Sequence, residues 1–162
     1  MKQAGRSPVV VERTVDLPHP PPEVFAAVMS PEVAPLIDPA VREWAPDRRP
    51  IGVGTRFTIR GKFQWLPIRA TSAVIEWEPP SSATFEAVRP VWPTRLEAAH
   101  RFEPSEGGTS YTWTSTIHHR GPIGRLAARL VARLLDRTIA DQHRTLAAWL
   151  EQNPGDALRT EL

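Results

Sequence analysis

One long amphipathic helix near the end of the chain constrains the fold more than any other feature of this sequence. Gly121 and Pro122 are typical of a helix start and Asn153-Pro154-Gly155 of a stop, so the helix is predicted from Pro122 to about Glu151. Residues placed about 100° apart give it one broad apolar face, made of Ala127, Leu130, Val131, Leu134, Leu135, Leu146 and Trp149. A face of this length needs a large apolar partner.

That partner is predicted to be a sheet, because apolar and polar side chains alternate through most of the preceding chain. Residues 9–17 form the first predicted strand, and two short helices follow, one opened by Glu23 and one over 32–37. From Ala40 onward we expect six further strands, separated by turn-rich segments at 47–54, 65–67, 78–82, 90–94 and 104–108. The sequence therefore predicts an α+β fold, in which a curved seven-stranded antiparallel sheet wraps around the C-terminal helix. Gly61 falls within a strand and indicates a bend or bulge.

Length and composition exclude several classes of protein. The 162 residues fit one domain, predicted over 9–151 between flexible tails at 1–8 and 152–162. The absence of cysteine removes disulfide frameworks, thiolate catalysis and thiolate metal sites. No signal peptide and no apolar run of roughly 20 residues is present, so a cytoplasmic location is expected. A net charge of +2 is too small to imply a nucleic-acid partner.

Four segments resemble those of a known superfamily. They are residues 15–18 leading to 22–25, the stretch Gly52–Phe57, the segment Val74–Pro80, and Gly121–Gly124 before the helix. On these segments the chain, over roughly residues 9–151, resembles the START-related helix-grip proteins called SRPBCC, in the polyketide cyclase/dehydrase-like branch. The resemblance implies a cavity between sheet and helix that binds hydrophobic ligands such as lipids, hormones and polyketides. It implies no cofactor, and only some members of the superfamily are enzymes.

Two residues of the last strands could carry chemistry in such a cavity. Strand alternation places His100 among Leu96, Ala98 and Phe102, and it places Tyr111 on one face with Trp113 and Ser115. A histidine and a tyrosine in a dry pocket can act as general acid or base, or can hydrogen-bond a ligand carbonyl. The alternative is a core histidine satisfied by a neighbouring hydroxyl, or a histidine turned outward by a one-residue change of register.

The apolar helix face also carries two polar residues, Thr138 and Gln142. They could orient a mostly apolar ligand, or Thr138 could bond its own helix backbone while Gln142 reaches a nearby carbonyl. The complete predicted set of ligand-binding residues has an aromatic and aliphatic majority with a few polar members. It comprises Phe57, Ile59, Phe63, Trp65, Phe85, Trp92, His100, Phe102, Tyr111, Trp113, Ser115, Leu130, Leu134, Thr138 and Gln142.

An arginine stripe lies on the opposite side of the predicted helix, at Arg125, Arg129, Arg133 and Arg137. A solvated face accounts for it, since like charges four residues apart do not stabilise a helix. Alternatively, it could dock anionic lipid headgroups, an acidic carrier protein or RNA.

Three functions remain open at this point. The leading hypothesis is a non-catalytic binder or carrier of a small hydrophobic or amphiphilic ligand, because neither a metal-binding pattern nor a nucleophile motif is present. The second is a cofactor-independent polyketide cyclase or dehydratase in which His100 or Tyr111 moves protons. The third is a regulatory module that docks through the arginine stripe. We expect no metal, and whether the protein is an enzyme stays open.

Overall fold

Seven strands and three helices follow one another in the predicted order. The structure is a computed structural model that describes residues 7–89 and 94–162. The elements are β1 (Val9–Leu17), α1 (Pro21–Met29), α2 (Ala34–Ile37), β2 (Val41–Pro46), β3 (Arg56–Phe63), β4 (Leu66–Glu78), β5 (Ser82–Arg89), β6 (Thr94–Ser105), β7 (Gly108–His119) and α3 (Gly121–Gln152). A short 3₁₀ helix, Asp156–Arg159, ends the chain.

The sheet is larger than any single helix can cover. Its order is β1-β7-β6-β5-β4-β3-β2, with every neighbouring pair antiparallel. Seven strands about 4.8 Å apart span roughly 30 Å, whereas a helix with its side chains is only about 10 Å wide. The sheet therefore curls, and α3 packs on β1, β7 and β6 along one side of the concave face. The predicted helix-grip fold is confirmed.

Gly61 allows the close approach of β3 to the chain entering β2. The amide of Lys62 donates to the carbonyl oxygen of Ala40 at 2.9 Å, and the pairing of β2 shifts by one residue between Val41 and Glu43. A Cβ on Gly61 would lie 1.8 Å from that carbonyl oxygen, which is far inside van der Waals contact. The predicted irregularity at Gly61 is thus a backbone contact that only glycine permits.

The buried face of α3 differs from the predicted one. It is formed by Gly124, Ala128, Ala132, Leu135, Ile139, Gln142, His143, Leu146 and Leu150, while Leu130 is exposed and Leu134 only half-buried. The reason is steric, because bulky side chains on the strands beneath the N-terminal half already fill the space there. Ala128 and Ala132 pack directly against Val11 and Ile117, so small residues face the sheet.

The segment after α3 is packed, although a flexible tail was predicted. The amide of Gly155 donates to Glu23 Oε1 at 2.8 Å, and Ala157 is completely buried against the core around α1. Arg49 also hydrogen-bonds the carbonyl oxygen of Glu161. The alternation and helix-wheel patterns contained no signal for this docking, because the segment is held by the buried Ala157, the partly buried Leu162 and hydrogen bonds to its backbone.

Replacing Gly61 tests the close backbone contact. We expect Gly61→Ala to lower the free energy of unfolding by about 1–3 kcal/mol, because either the Ala40 carbonyl or β3 must move to make room. Gly52→Ala is the matched control, since nothing lies within 4 Å of a Cβ at that position. Urea denaturation of both variants measures the difference. Equal stabilities would show that the contact at Gly61 imposes no constraint.

Candidate ligand-binding site

The part of the concave face that α3 does not cover forms a partly open cavity of about 220 Å³. Its floor comes from β2 to β7, and α1, α2 and the middle of α3 close it. Most of its wall is apolar, and the apolar members include Val28, Met29, Ile37, Val41, Trp44, Ile59, Phe85, Leu96 and Trp113. Polar side chains are few: Asp38, Thr71, Ser72, His100 and Gln142. The cavity therefore suits a mostly apolar molecule with a few polar substituents.

A buried histidine–tyrosine pair forms one side of the cavity. The Nδ1 atom of His100 lies 2.8 Å from the hydroxyl of Tyr111, and both side chains are buried. Burial lowers the pKa of His100 to about 3, and the nearby His143 adds to the effect. Burial also raises the pKa of Tyr111 well above its usual value. Tyr111 therefore keeps its proton. The Gln142 side chain lowers the tyrosine pKa by donating a hydrogen bond to the hydroxyl oxygen, so Tyr111 donates its own hydrogen to Nδ1 and the hydrogen of the neutral His100 ring is on Nε2.

Gln142 brings a second polar group from α3 to the same wall. Its side-chain amide contacts the Tyr111 hydroxyl and opposes the rise in the tyrosine pKa. Its Oε1 atom is buried and has no hydrogen-bond partner among the described residues. An unpaired buried acceptor costs about 1–3 kcal/mol, and Gln142 is also one of the residues that line the cavity.

Asp38 contributes a carboxyl group directly after α2. Its Oδ1 accepts a hydrogen bond from the amide of Ala40 at 2.9 Å, and its backbone amide donates to Ala34 and ends the helix. Burial raises the pKa of Asp38 to about 6, against the Ala40 hydrogen bond and with help from the charge of Asp141. Near neutral pH this carboxyl can therefore exchange a proton, which is what a general acid or base requires.

His143 lies behind the pair, between the cavity and a polar groove at the surface. Its ring centroid is 5.0 Å from that of Tyr111, and its Nε2 has no partner among residues 7–89 and 94–162. Burial lowers its pKa to about 4, and the charge of Arg13 lowers it further. Both histidines near Tyr111 are therefore neutral in the folded protein at neutral pH.

The structure brings together some of the predicted site residues and separates the others. Ile59, Phe85, His100, Trp113 and Gln142 line the cavity. Another group forms the packed core around it: Phe57 stacks on Trp44 at 4.2 Å, and Phe102 stacks on Tyr111 at 4.8 Å. These core residues position the lining rather than form it.

Other predicted members lie away from the cavity, and each has a local reason. Trp65 is 84% exposed at the tip of the β3–β4 hairpin, and the rotation of α3 turns Leu130 to solvent. Phe63 packs under the N-terminal half of α3, and Leu134 is absent from the cavity wall. Thr138 donates to the carbonyl oxygen of Leu134 in its own helix, and Ser115 accepts from the Trp113 indole. Trp92 lies outside the described residues.

Sequence reasoning missed Asp38, Trp44 and the contributions of α1 and α2. Trp44 was not among the predicted site residues, but it both stacks on Phe57 and lines the cavity. Asp38 ends a helix of only four residues, and nothing in the local pattern indicates that this turn faces the sheet. The one signal in the sequence is the proline that follows Asp38. It indicates that the helix ends at this point and that the backbone of Asp38 is restricted to an extended conformation.

Two further findings concern metals and membranes. Within residues 7–89 and 94–162, no three histidine or acidic side chains lie close enough to hold a metal ion together. None of the helices in this part of the chain has the length and hydropathy needed to cross a bilayer.

Comparison with known proteins gives a family and a set of similar folds. A family model described as "Polyketide cyclase / dehydrase and lipid transport" matches residues 8–151. The search of curated proteins found no match.

Three solved structures illustrate the similarity of fold. The di-domain ARO/CYC StfQ of the steffimycin biosynthetic pathway superposes with a TM-score of 0.76 at 14% identity; the match covers 93% of this chain and 53% of that one. The protein TTHA0849 from Thermus thermophilus gives 0.70 at 22% identity, covering 91% and 99%. A START superfamily protein from Mycobacterium smegmatis gives 0.73 at 15% identity, covering 88% and 97%. At these identities the likeness establishes the fold.

The neutral state of His100 makes a pH-dependent contribution to stability. The unfolded chain protonates this histidine near pH 6.5, whereas the folded protein protonates it only at about pH 3. The stabilisation is thus complete above about pH 6.5 and is lost as the pH falls, by about 1.4 kcal/mol per pH unit. We expect the free energy of unfolding of His100→Asn, measured by urea denaturation, to fall less steeply than that of the wild type between about pH 6 and 4.

The measured quantity is the difference between variant and wild type, because other groups titrate in the same range. Asp38 acts in the opposite direction, since its raised pKa makes the folded protein more stable as the pH falls from about 6 to 4. His118→Asn is the control, because His118 is exposed on the outer face of β7. If the unfolding free energy of His100→Asn depended on pH as it does in the wild type, the assignment of His100 as a buried, neutral histidine would be wrong.

Proposed function

Since the chain belongs to the polyketide cyclase/dehydrase and lipid transport family, we propose that it binds a small, mostly apolar molecule with oxygen substituents in the cavity between the sheet and α3. The observation that carries this proposal is the unpaired Oε1 of Gln142, a residue of the mostly apolar cavity wall. A buried acceptor without a partner is costly, and a ligand hydroxyl would remove that cost.

The polar groups favour a particular arrangement on the ligand. Gln142 Oε1 requires a donor, whereas the Nε2 hydrogen of His100 requires an acceptor. A molecule that carries a hydroxyl and a carbonyl on an apolar frame satisfies both. Asp38 adds a group that accepts hydrogen bonds when ionised and donates one when protonated.

The size of the cavity limits the ligand further. A volume of 220 Å³ corresponds to about seven water molecules at the density of the liquid. This is below the range of roughly 300–1,000 Å³ that is usual for drug-sized ligands. A compact molecule of one or two rings fits this volume better than an extended acyl chain.

Filling the cavity should abolish binding without unfolding the protein. We expect Ala98→Leu to weaken binding of a hydroxylated aromatic ketone at least tenfold, because Ala98 lines the cavity on the inner face of β6. Ala99→Leu is the matched control, since the neighbouring side chain points to the other face of the strand. Isothermal titration with a panel of small aromatic ketones, phenols and fatty acids measures the effect, and thermal unfolding confirms that both variants fold.

Native ligand should also be carried by the purified protein. Denaturing extraction followed by mass spectrometry is expected to release a small oxygenated molecule from the wild type and not from Ala98→Leu. The binding proposal fails if nothing is extracted and no member of the panel binds, or if Ala98→Leu binds as well as Ala99→Leu.

A second candidate function is catalysis of a cyclisation or dehydration on a polyketide-like substrate. The buried pair of His100 and Tyr111 favours it, because it presents one N–H in a fixed direction to the cavity. One structural relative is an ARO/CYC of the steffimycin biosynthetic pathway, although it shares only 14% identity with this chain. In this proposal His100 donates to a substrate carbonyl and Asp38 removes the proton from the adjacent carbon. The carbanion then attacks a second carbonyl, and the resulting alkoxide takes the proton back from Asp38. Asp38 next removes a second proton from the attacking carbon and returns it to the hydroxyl, which leaves as water as the double bond forms.

Tyr111 has a different part in this proposal from the one first expected. Its side chain is completely buried and does not line the cavity, so it acts through His100 and is a positioning residue. It fixes the tautomer that carries hydrogen on Nε2. His100 and Asp38 are the groups that would touch the substrate.

Kinetics on a small 1,5-dicarbonyl substrate test this candidate. We expect turnover to fall about 100-fold or more in His100→Ala and Asp38→Asn, which is the usual contribution of a general acid or base. The wild-type rate should also fall as the pH drops below about 6, where Asp38 protonates, and this limb should be missing in Asp38→Asn.

His118→Ala, which changes an exposed histidine, should leave turnover and its pH profile unchanged. Tyr111→Phe should reduce turnover less than His100→Ala does. Wild-type turnover in both His100→Ala and Asp38→Asn would exclude the mechanism while leaving the binding proposal intact.

A further inference from the structure

The N-terminal half of α3 exposes a row of large aliphatic side chains on its outer side. Ile123, Leu126 and Leu130 are 80%, 71% and 59% exposed. At about 100° per residue they lie opposite the buried positions Ala128 and Ala132. We call these three residues the outer strip.

The second half of the same helix serves as an internal comparison. Eighteen residues make about five full turns, so residues 141, 144 and 148 occupy the same angular positions as the outer strip. Those positions hold Asp141, Arg144 and Ala148, and Asp141 pairs with Arg144. The large exposed aliphatic residues of α3 are therefore confined to its N-terminal half. Exposed leucines scattered singly over the surface would not cluster in this way.

The surface around the outer strip is basic. Between His118 and Leu135 the sequence contains four arginines and no acidic residue. Within residues 7–89 and 94–162, no acidic group lies within 4 Å of any of these four. They are Arg120, Arg125, Arg129 and Arg133, and all are exposed. The other arginine of the predicted stripe, Arg137, lines the polar groove between β1 and α3.

A second exposed apolar group lies close to this half of the helix. Phe63, the last residue of β3, packs in the same cluster as Ala128, Ala132 and Val131. Two residues further on, at the hairpin tip, Trp65 is 84% exposed, and Leu66 next to it is 52% exposed. Tryptophan is the side chain most favoured at the boundary between water and lipid.

From these observations we propose that the N-terminal half of α3, with the tip of the β3–β4 hairpin, docks the protein on an anionic lipid membrane. The outer strip and Trp65 would enter the boundary of the acyl chains. The arginines beside them would bind the lipid phosphates. An exposed helix with aliphatic residues next to a row of cations has the composition of an interfacial membrane helix.

Charge and area both disfavour a second copy of this chain as the partner. A symmetric dimer places the same patch of each copy against the other, so the two arginine rows would repel. The three residues of the outer strip span about 10 Å along the helix, which is too short for the roughly 800 Å² that each partner usually buries. A membrane requires no such area, because a few inserted side chains and several basic residues are sufficient.

The helix itself and one layer of side chains beneath it separate the docking face from the cavity. Leu96 and Trp113 line the cavity and also belong to the cluster beneath the N-terminal half of α3. Docking at this face would therefore bring the cavity wall close to the lipid. The docking proposal itself does not depend on which ligand the cavity holds.

Vesicle flotation of the full-length protein tests the proposal. The wild type is expected to float with vesicles of phosphatidylcholine and phosphatidylglycerol at low salt, and to bind much less to phosphatidylcholine alone or at high salt. Leu126→Gln/Leu130→Gln should weaken binding at least tenfold. Arg129→Gln/Arg133→Gln should weaken it roughly fivefold for each arginine removed.

Matched controls separate this face from general effects of the substitutions. Ala148→Gln changes the position five turns after Leu130, and Arg42→Gln/Arg101→Gln removes two exposed arginines from the sheet. Both should bind vesicles like the wild type, and circular dichroism should show that every variant folds.

Three results would overturn the proposal. They are absence of binding to anionic vesicles, equal loss of binding in the controls, and a concentration-dependent dimer in sedimentation velocity that Leu126→Gln/Leu130→Gln abolishes. Since ligand binding is measured without vesicles, failure here leaves the proposed cavity function untouched.

Discussion

The mismatch in width between one helix and a seven-stranded sheet governs this structure. α3 packs along β1, β7 and β6, and its small residues Ala128 and Ala132 bring it close to the strands there. The remaining strands curl toward the helix, but their inner faces stay uncovered by it. α1 and α2 close the end of this space, and what remains is the cavity. A ligand site therefore arises from the geometry of the fold before any particular side chain is considered.

The side chains on the cavity wall then decide what such a site can bind. Tyr111 is held in the core, and it orients His100 so that one N–H faces the cavity. Gln142 is brought to the same wall by α3, and its buried Oε1 has no hydrogen-bond partner among the described residues. Asp38 adds a carboxyl whose pKa of about 6 lies near neutral pH. Buried polar groups reduce stability when they lack partners, so their concentration around one cavity indicates a function other than packing.

Strand alternation and the long helix were sufficient to predict most of the fold. The alternation with a period of two predicted the strands and the turns between them. It also correctly predicted that His100 faces inward, because only one register buries all the apolar positions of the strand together. The buried face of α3 was predicted less well than the strands. A wheel drawn from hydrophobicity favours leucines for the buried face, but the N-terminal half of α3 buries Gly124, Ala128 and Ala132 instead. Leu130 was consequently assigned to the cavity, although it is exposed.

The site was less predictable than the fold, because its members come from distant parts of the chain. Asp38 and Trp44 belong to segments with no unusual local pattern. The packing of α2 on β2 and α3 brings Asp38 to the cavity, and the pairing of β2 with β3 brings Trp44 there. Trp65 was expected in the cavity because it shares the alternation of its strand, yet the hairpin turns before it can reach the interior. Hydrophobic patterns predict which side chains avoid water, but they do not predict whether such a side chain lines the cavity or lies elsewhere.

The central claim is that the cavity binds an oxygenated, mostly apolar molecule through His100 and Gln142. A crystal structure of the protein with a small hydroxylated aromatic ketone tests it most directly. The account predicts the ligand within the cavity, its carbonyl oxygen at hydrogen-bond distance from His100 Nε2 and its hydroxyl at that distance from Gln142 Oε1. A ligand bound elsewhere, or in the cavity without either contact, would contradict it.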